Sequence, residues 1–182
     1  MLPKFGYVAY LVSWEASGHP HPASPIKGEE RAQMNADLRE LYQEIILDHN
    51  RRPRNRGRVA AANREAEGHN PLCGDQVKVT LMTENGLVAD VAFEGQGCAI
   101  STASASLMTE AVKGKSVEEA EKMFREFQAM VTETGEASDH SDLGDLEVFQ
   151  GVREHPVRIK CATLPWHTLH AALIGEERVT TE

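Results

Sequence analysis

The chain has 182 residues, 41% of them hydrophobic and 5% aromatic, with a formal net charge of -9 and a pI near 5.4. That length supports one domain with a proper core, resting on Leu, Val, Ile, Ala and Met rather than on rings. The acidic balance argues against a general nucleic-acid binder, which needs concentrated positive charge. No stretch approaches the ~20 apolar residues that span a bilayer.

The N-terminus carries the apolar run "FGYVAYLVSW", with Lys4 as the only charge before it and no clear small-x-small cleavage pattern directly after it. Residues 15–33 are rich in Pro, Gly and charge and read as a linker. Residues 1–33 are therefore expected to be a flexible, dispensable extension, compatible with an upstream start codon, and residues 34–182 the folded domain. Asp37 and Glu40 make an Asp-x-x-Glu capping box. Leu38, Leu41, Tyr42, Ile45 and Ile46 then share one face, predicting a helix over 37–49 that Pro53 and Gly57 stop. "RRPRNRGR", residues 51–58, is the one basic concentration. It reads as a solvated connector or as a docking surface for an acidic partner protein; no aromatic residues interleave it to stack bases.

After a polar stretch, Val77, Val79 and Leu81 alternate with Gln76, Lys78 and Thr80 as in a half-buried strand. "ENG", residues 84–86, signals a tight turn, with residues 87–94 as the returning strand. "GQGC" leads into a helix whose stripe is Ile100, Ala103, Leu107 and Ala111, small enough for close packing on a sheet. Ser116 and Glu119 form a second capping box, opening a helix to about Met130. An acidic mobile loop is expected over 132–145 and a short helix over 146–153. The last helix is expected from Cys161 or Thr163 to Ile174, which requires Pro165 to fall in its first turn. This order predicts an α+β fold, a small antiparallel sheet covered by helices.

Three cysteines are too few and too dispersed for a disulfide scaffold, and no Cys-x-x-Cys points to a thioredoxin-like redox enzyme. An odd count in an apparently cytoplasmic protein leaves free thiols, a metal site or buried structural cysteines. All three sit at element junctions: Cys73 in a turn before a strand, Cys98 at a helix start, Cys161 near another. A helix N-terminus favours thiolate, whereas a core cysteine more usually lies mid-element. Zn²⁺ binds soft thiolates well and takes Asp as a fourth tetrahedral ligand, so Cys73, Asp75, Cys98 and Cys161 make a sound donor set. Gly74 lets the backbone curl so that Cys73 and Asp75 face one ion. Three thiolates and a carboxylate leave a net negative site, so Arg158 and Lys160, flanking Cys161, are candidate docking contacts or plain surface charge. None of the eight histidines has metal-motif spacing. His49 and His69 lie nearest the motifs, and surface or capping roles are expected for all.

"LYQEIILDH", "PRNRG", "NPLCGD", "FEGQGCAISTASASLM" and "RIKCATLPW" together resemble the SufU branch of the IscU/NifU-like iron–sulfur assembly family. The resemblance covers roughly residues 35–174. It implies Cys73, Asp75, Cys98 and Cys161 as metal or cluster ligands. The insertion at about residues 131–150 and Lys160 before the last cysteine are similar to the SufU-like branch, since IscU-type members carry His there. "EHPVRIK" stands where the IscU type has its chaperone-recognition Leu-Pro-Pro-Val-Lys. The resemblance implies a zinc-bound sulfur acceptor, a sulfurtransferase-like carrier that takes persulfide sulfur from a cysteine desulfurase and passes it to a downstream iron–sulfur scaffold or apo-proteins. Cys73 is the expected acceptor, because its flexible Gly-flanked turn lets it leave the metal most easily. The alternatives are a scaffold holding a [2Fe–2S] cluster on Cys73, Cys98 and Cys161, or a domain whose zinc only supports the fold. A cytoplasmic location is expected.

Overall fold

The computed structural model describes residues 28–132 and 141–181. The chain divides into two compact units, Met1–Asp37 and Leu38–Glu182. The first contributes the N-terminal turns of helix α1 (Gly28–Arg51), and the second carries everything that follows. α1 starts well before Asp37, because no proline or further glycine interrupts residues 29–51 and good helix formers fill them. Asp37 therefore lies inside the helix rather than at its cap. Tyr42, Ile45 and Ile46 pack on the core as expected, while Leu41 stays 49% exposed.

Strands β1 (Arg64–Asn70), β2 (Asp75–Glu84), β3 (Leu87–Gln96) and β4 (Arg178–Thr180) form one sheet in the order β3-β2-β1-β4. The hairpin β2–β3 turns on Asn85 and Gly86, with φ of 51° and 78°, the paired left-handed residues of a type I′ turn. β1 pairs antiparallel with β2, and the short β4 adds in parallel. Helices α2 (Ala99–Val112), α3 (Val117–Thr132) and α4 (Pro156–Ile174), with a 3₁₀ stretch over Ser141–Glu154 kinked at Gly144, complete the α+β fold. Of the expected acidic loop, residues 133–140 lie outside the described residues. The second capping box is present: Ser116 N donates to Glu119 Oε2 (2.8 Å) and Glu119 N to Ser116 Oγ (3.1 Å). Among the described residues no helix is long and apolar enough to cross a membrane.

α4 departs most from expectation. Pro156 opens it, so Pro165 falls in its interior rather than its first turn. Pro165 has no N–H to give the Cys161 carbonyl, but residues 161–166 are all buried and their packing outweighs that single bond. The helix lies close over β1. A Cβ on Gly68 would sit 2.0 Å from Thr168 Oγ1 and 3.0 Å from Leu164 Cδ1.

His49, expected on the surface or at a cap, is buried and joins α1 to α2: its Nδ1 lies 2.8 Å from Ser106 Oγ, which also accepts the Arg54 N–H (2.8 Å). Burial and then the neighbouring Arg54 push its pKa below the ordinary value. Unfolded His49 thus takes up a proton at higher pH than folded His49. Its contribution to stability is lost as pH falls through the unfolded value of about 6.5.

Two outcomes are expected. Gly68→Ala lowers stability by about 3 kcal/mol, the upper end of overpacking costs, and loses clearly less in a Thr168→Ala background, read from urea midpoints. His49→Gln reduces the fall in melting temperature between about pH 7 and 5 without abolishing it, because burial lowers His167 in the same direction.

Candidate metal centre

β1 ends at Asn70, the chain turns through residues 71–74, and β2 begins at Asp75. Gly74, at φ 72°, makes the reversal and its N–H donates to the Asn70 carbonyl (2.8 Å). This leaves Cys73 exposed at the tip and Asp75 3% exposed at the strand's first position. Cys161, in the second turn of α4, is 2% exposed and arrives from above the sheet. The Cys73 and Cys161 sulfurs are 3.1 Å apart. With an Asp75 oxygen they form a set of donor atoms all within 4.8 Å of one another.

Cys98 stands slightly apart. It is the N-cap of α2, and its sulfur accepts the Ser101 N–H at 3.5 Å. Its backbone N–H donates to Asp75 Oδ1 (3.0 Å), so the carboxylate sits on the positive end of α2. Gly97 makes room for this: a Cβ there would lie 3.2 Å from the Asp75 carboxyl carbon and 3.1 Å from Ser101 Oγ.

The expected thiolate preference at a helix N-terminus does not extend to Cys161. It lies past the first turn of α4, and burial, followed by the proximity of Cys73, Cys98 and Asp75, pushes its thiol far up. Asp75 Oδ2 is buried with no hydrogen-bond partner. Two close sulfurs, an orphaned carboxylate oxygen and mutual repulsion are what a thiophilic cation relieves, and the residues fit Zn²⁺. Zn–S bonds of about 2.3 Å place tetrahedral sulfurs about 3.8 Å apart, so Cys73 and Cys161 need part by only a fraction of an ångström.

Two residues here escaped the reading of the sequence. Asn70, 0% exposed, directs its amide nitrogen at Cys161 Sγ (3.6 Å). Ser101 is fully buried with an unpartnered hydroxyl. Asn70 stands in the quoted motif "NPLCGD", where Asn-Pro signals a turn but not a sulfur contact. Arg158 is exposed and Lys160 partly so, and no carboxylate pairs with either among the described residues. The arginine run is largely held by its own chain: Arg54 pairs with Asp48, Arg58 with Glu94, and Arg56 donates to the Gly95 carbonyl.

A small α+β domain that converges thiols and a carboxylate from a strand turn and two helices is a metal- or sulfur-handling module. Residues 41–162 match the family described as NifU-like N terminal domain, and the chain belongs to it, in the SufU-type branch of the IscU/NifU-like proteins. It is 46% identical over 144 residues to the zinc-dependent sulfurtransferase SufU of Bacillus subtilis, covering 79% of this chain and 97% of that protein. It is 40% identical over 136 residues to the iron-sulfur cluster assembly scaffold protein IscU of Streptococcus pyogenes, covering 75% and 84% respectively. Among solved structures it is similar to an iron-sulfur cluster assembly scaffold protein for the SUF system from Fervidobacterium islandicum AW-1. That match has a TM-score of 0.68 at 37% identity and covers 74% of this chain and 97% of the other.

Asp75→Asn tests the fit. The amide keeps the oxygen for the Cys98 N–H but removes a buried, half-satisfied charge. The metal-free variant should melt higher than the metal-free parent, by about 1–2 kcal/mol of stability, and bind Zn²⁺ more weakly in chelator competition. A metal-free variant that melts lower would show that the carboxylate is satisfied without a cation.

Proposed function

We propose that this protein is a zinc-binding sulfur acceptor that takes persulfide sulfur from a cysteine desulfurase for iron–sulfur cluster assembly. The observation that carries this reading is the contrast within one donor set: Cys73 is exposed on a glycine turn, while Cys161 and Asp75 are buried beside it. The SufU relative, named a zinc-dependent sulfurtransferase, supports it.

Cys73, Asp75, Cys98 and Cys161 would hold the ion. Bound Zn²⁺ keeps thiols deprotonated at neutral pH. Cys73 is the acceptor. Its thiolate attacks the outer sulfur of the donor's persulfide, a new S–S bond forms to Cys73, the donor's own S–S bond breaks, and the donor cysteine leaves as thiolate. Asp75 and Cys161 stay fixed, held by the strand and the helix. Around them Leu72 (62% exposed) and Val157 (52%) present apolar surface, and Arg158 and Lys160 present positive charge with no carboxylate partner among the described residues. These four are the docking contacts for the donor. Sulfur then passes to a downstream scaffold or apo-proteins in the cytoplasm, and residues 34–182 suffice for the activity. The rival reading, a scaffold on which a [2Fe–2S] cluster is built and transferred, draws on the relatives named as IscU scaffolds.

Cys73→Ala decides the acceptor assignment. The variant should retain measurable zinc by elemental analysis and leave a cysteine desulfurase at its unstimulated rate. Full stimulation would remove Cys73 from the role, and stoichiometric iron with acid-labile sulfide after anaerobic purification would favour the scaffold.

A further inference from the structure

We propose that Asn70 is the positioning residue that makes the thiols of this centre unequal, clamping the Cys73 turn while tempering Cys161. The inference rests on the acceptor reading for Cys73 and deepens it. Asn70 is the last residue of β1 and is 0% exposed, and a polar side chain so buried has to place its hydrogen bonds. Its side-chain oxygen accepts the Leu72 N–H at 3.1 Å, and its backbone carbonyl accepts the Gly74 N–H at 2.8 Å. Both donors belong to the turn that carries Cys73. Because the oxygen is committed to Leu72, the other end of the amide is the NH₂ group. That nitrogen lies 3.6 Å from Cys161 Sγ. One side chain therefore ties the turn of one thiol to the sulfur of another.

The consequence is chemical. An N–H aimed at sulfur draws on its lone pairs, and a sulfur so engaged is a weaker nucleophile and a better-anchored ligand. Cys161 receives the Asn70 amide, and Cys98 receives the Ser101 N–H. Cys73 receives no N–H donor among the described residues. Its polar neighbour is the Cys161 sulfur. Cys73 is thus the exposed and least tempered of the three, and the clamp on its turn holds it in place without touching its sulfur.

The test uses the full chain with Asn70→Ser and Asn70→Asp. Both variants keep an oxygen for the Leu72 N–H and lose the N–H donor to Cys161. Zinc affinity, read on Asn70→Ser by competition with a chromophoric chelator, should fall roughly 10–100-fold, as for other partners of metal ligands. In Co²⁺-substituted protein the sulfur-to-cobalt charge-transfer band should move to longer wavelength in both variants, because a thiolate freed of its donor is more electron-rich. A purely structural role for Asn70 does not move that band in a common direction. Asn70→Asp, closest in shape, carries the band measurement if Asn70→Ser does not fold. After reaction with a persulfide donor, mass spectrometry should find added sulfur at Cys73 alone in the parent and at Cys161 as well in the variants. Wild-type affinity and band position in the variants would overturn the role of Asn70 while leaving Cys73 as acceptor. Sulfur absent from Cys73 in the parent would overturn the acceptor reading, with affinity and band still deciding Asn70.

Discussion

The close approach of α4 to β1 is the contact on which the site depends. Gly68 is the position that permits it, since any side chain there would meet Thr168 and Leu164. Alternate residues of a strand share a face, so Ala66, Gly68 and Asn70 all look toward the core, and all are buried. Moving from Gly68 to Asn70 advances about 6.6 Å along the strand. Moving from Thr168 back to Cys161 retreats about 10 Å along the helix. The two elements therefore meet again at the site, with Asn70 against Cys161, after meeting first at Gly68 against Thr168. The turn carrying Cys73 then follows directly from the strand that α4 has fixed.

A second constraint is electrostatic. The protein has a net charge of -9, yet it buries a carboxylate within reach of two thiols. One oxygen of Asp75 rests on the N-terminal N–H of α2; the other has no partner. A fold selected for stability alone satisfies or removes such a group, because leaving it costs about 1–3 kcal/mol or more. Departures from local consistency of this sort belong to functional sites. The orphaned oxygen and the raised Cys161 thiol are two expressions of one deficit, a positive charge that the protein's own residues do not supply at that point.

Features ruled by local chemistry were legible in the sequence. Asn85-Gly86 dictates a type I′ turn because both residues tolerate positive φ, and the Ser116–Glu119 box closes as its spacing requires. Cys98 caps a helix as expected. β1 was illegible because its inward positions are Ala, Gly and Asn, and an Asn whose partner is a distant cysteine carries no strand signal. β4 is three residues long and is defined by pairing with β1. The start of α4 was misplaced because Pro165 is a strong local breaker, and only the burial of its surroundings reveals what offsets it. The donor types at the site were readable from their chemistry. Which sulfur is buried, which is exposed and what donates to each depend on three segments far apart in the chain.

That inequality bears on whether one ion or a cluster is the better occupant. Four ligands of a [2Fe–2S] cluster are divided between two irons, which favours donors spread around a rhomb. Here Cys73, Asp75 and Cys161 already crowd within 4.8 Å of one another, the arrangement a single tetrahedral ion needs. Lys160, adjacent to Cys161, adds to the same conclusion. A lysine at that position supplies no neutral imidazole as a further ligand. A site built this way holds two donors immobile on a strand and a helix and leaves a third on a hinge of Gly74. On the proposed reading, holding the metal and meeting the sulfur donor are separate tasks, the second falling to Cys73, exposed on its turn.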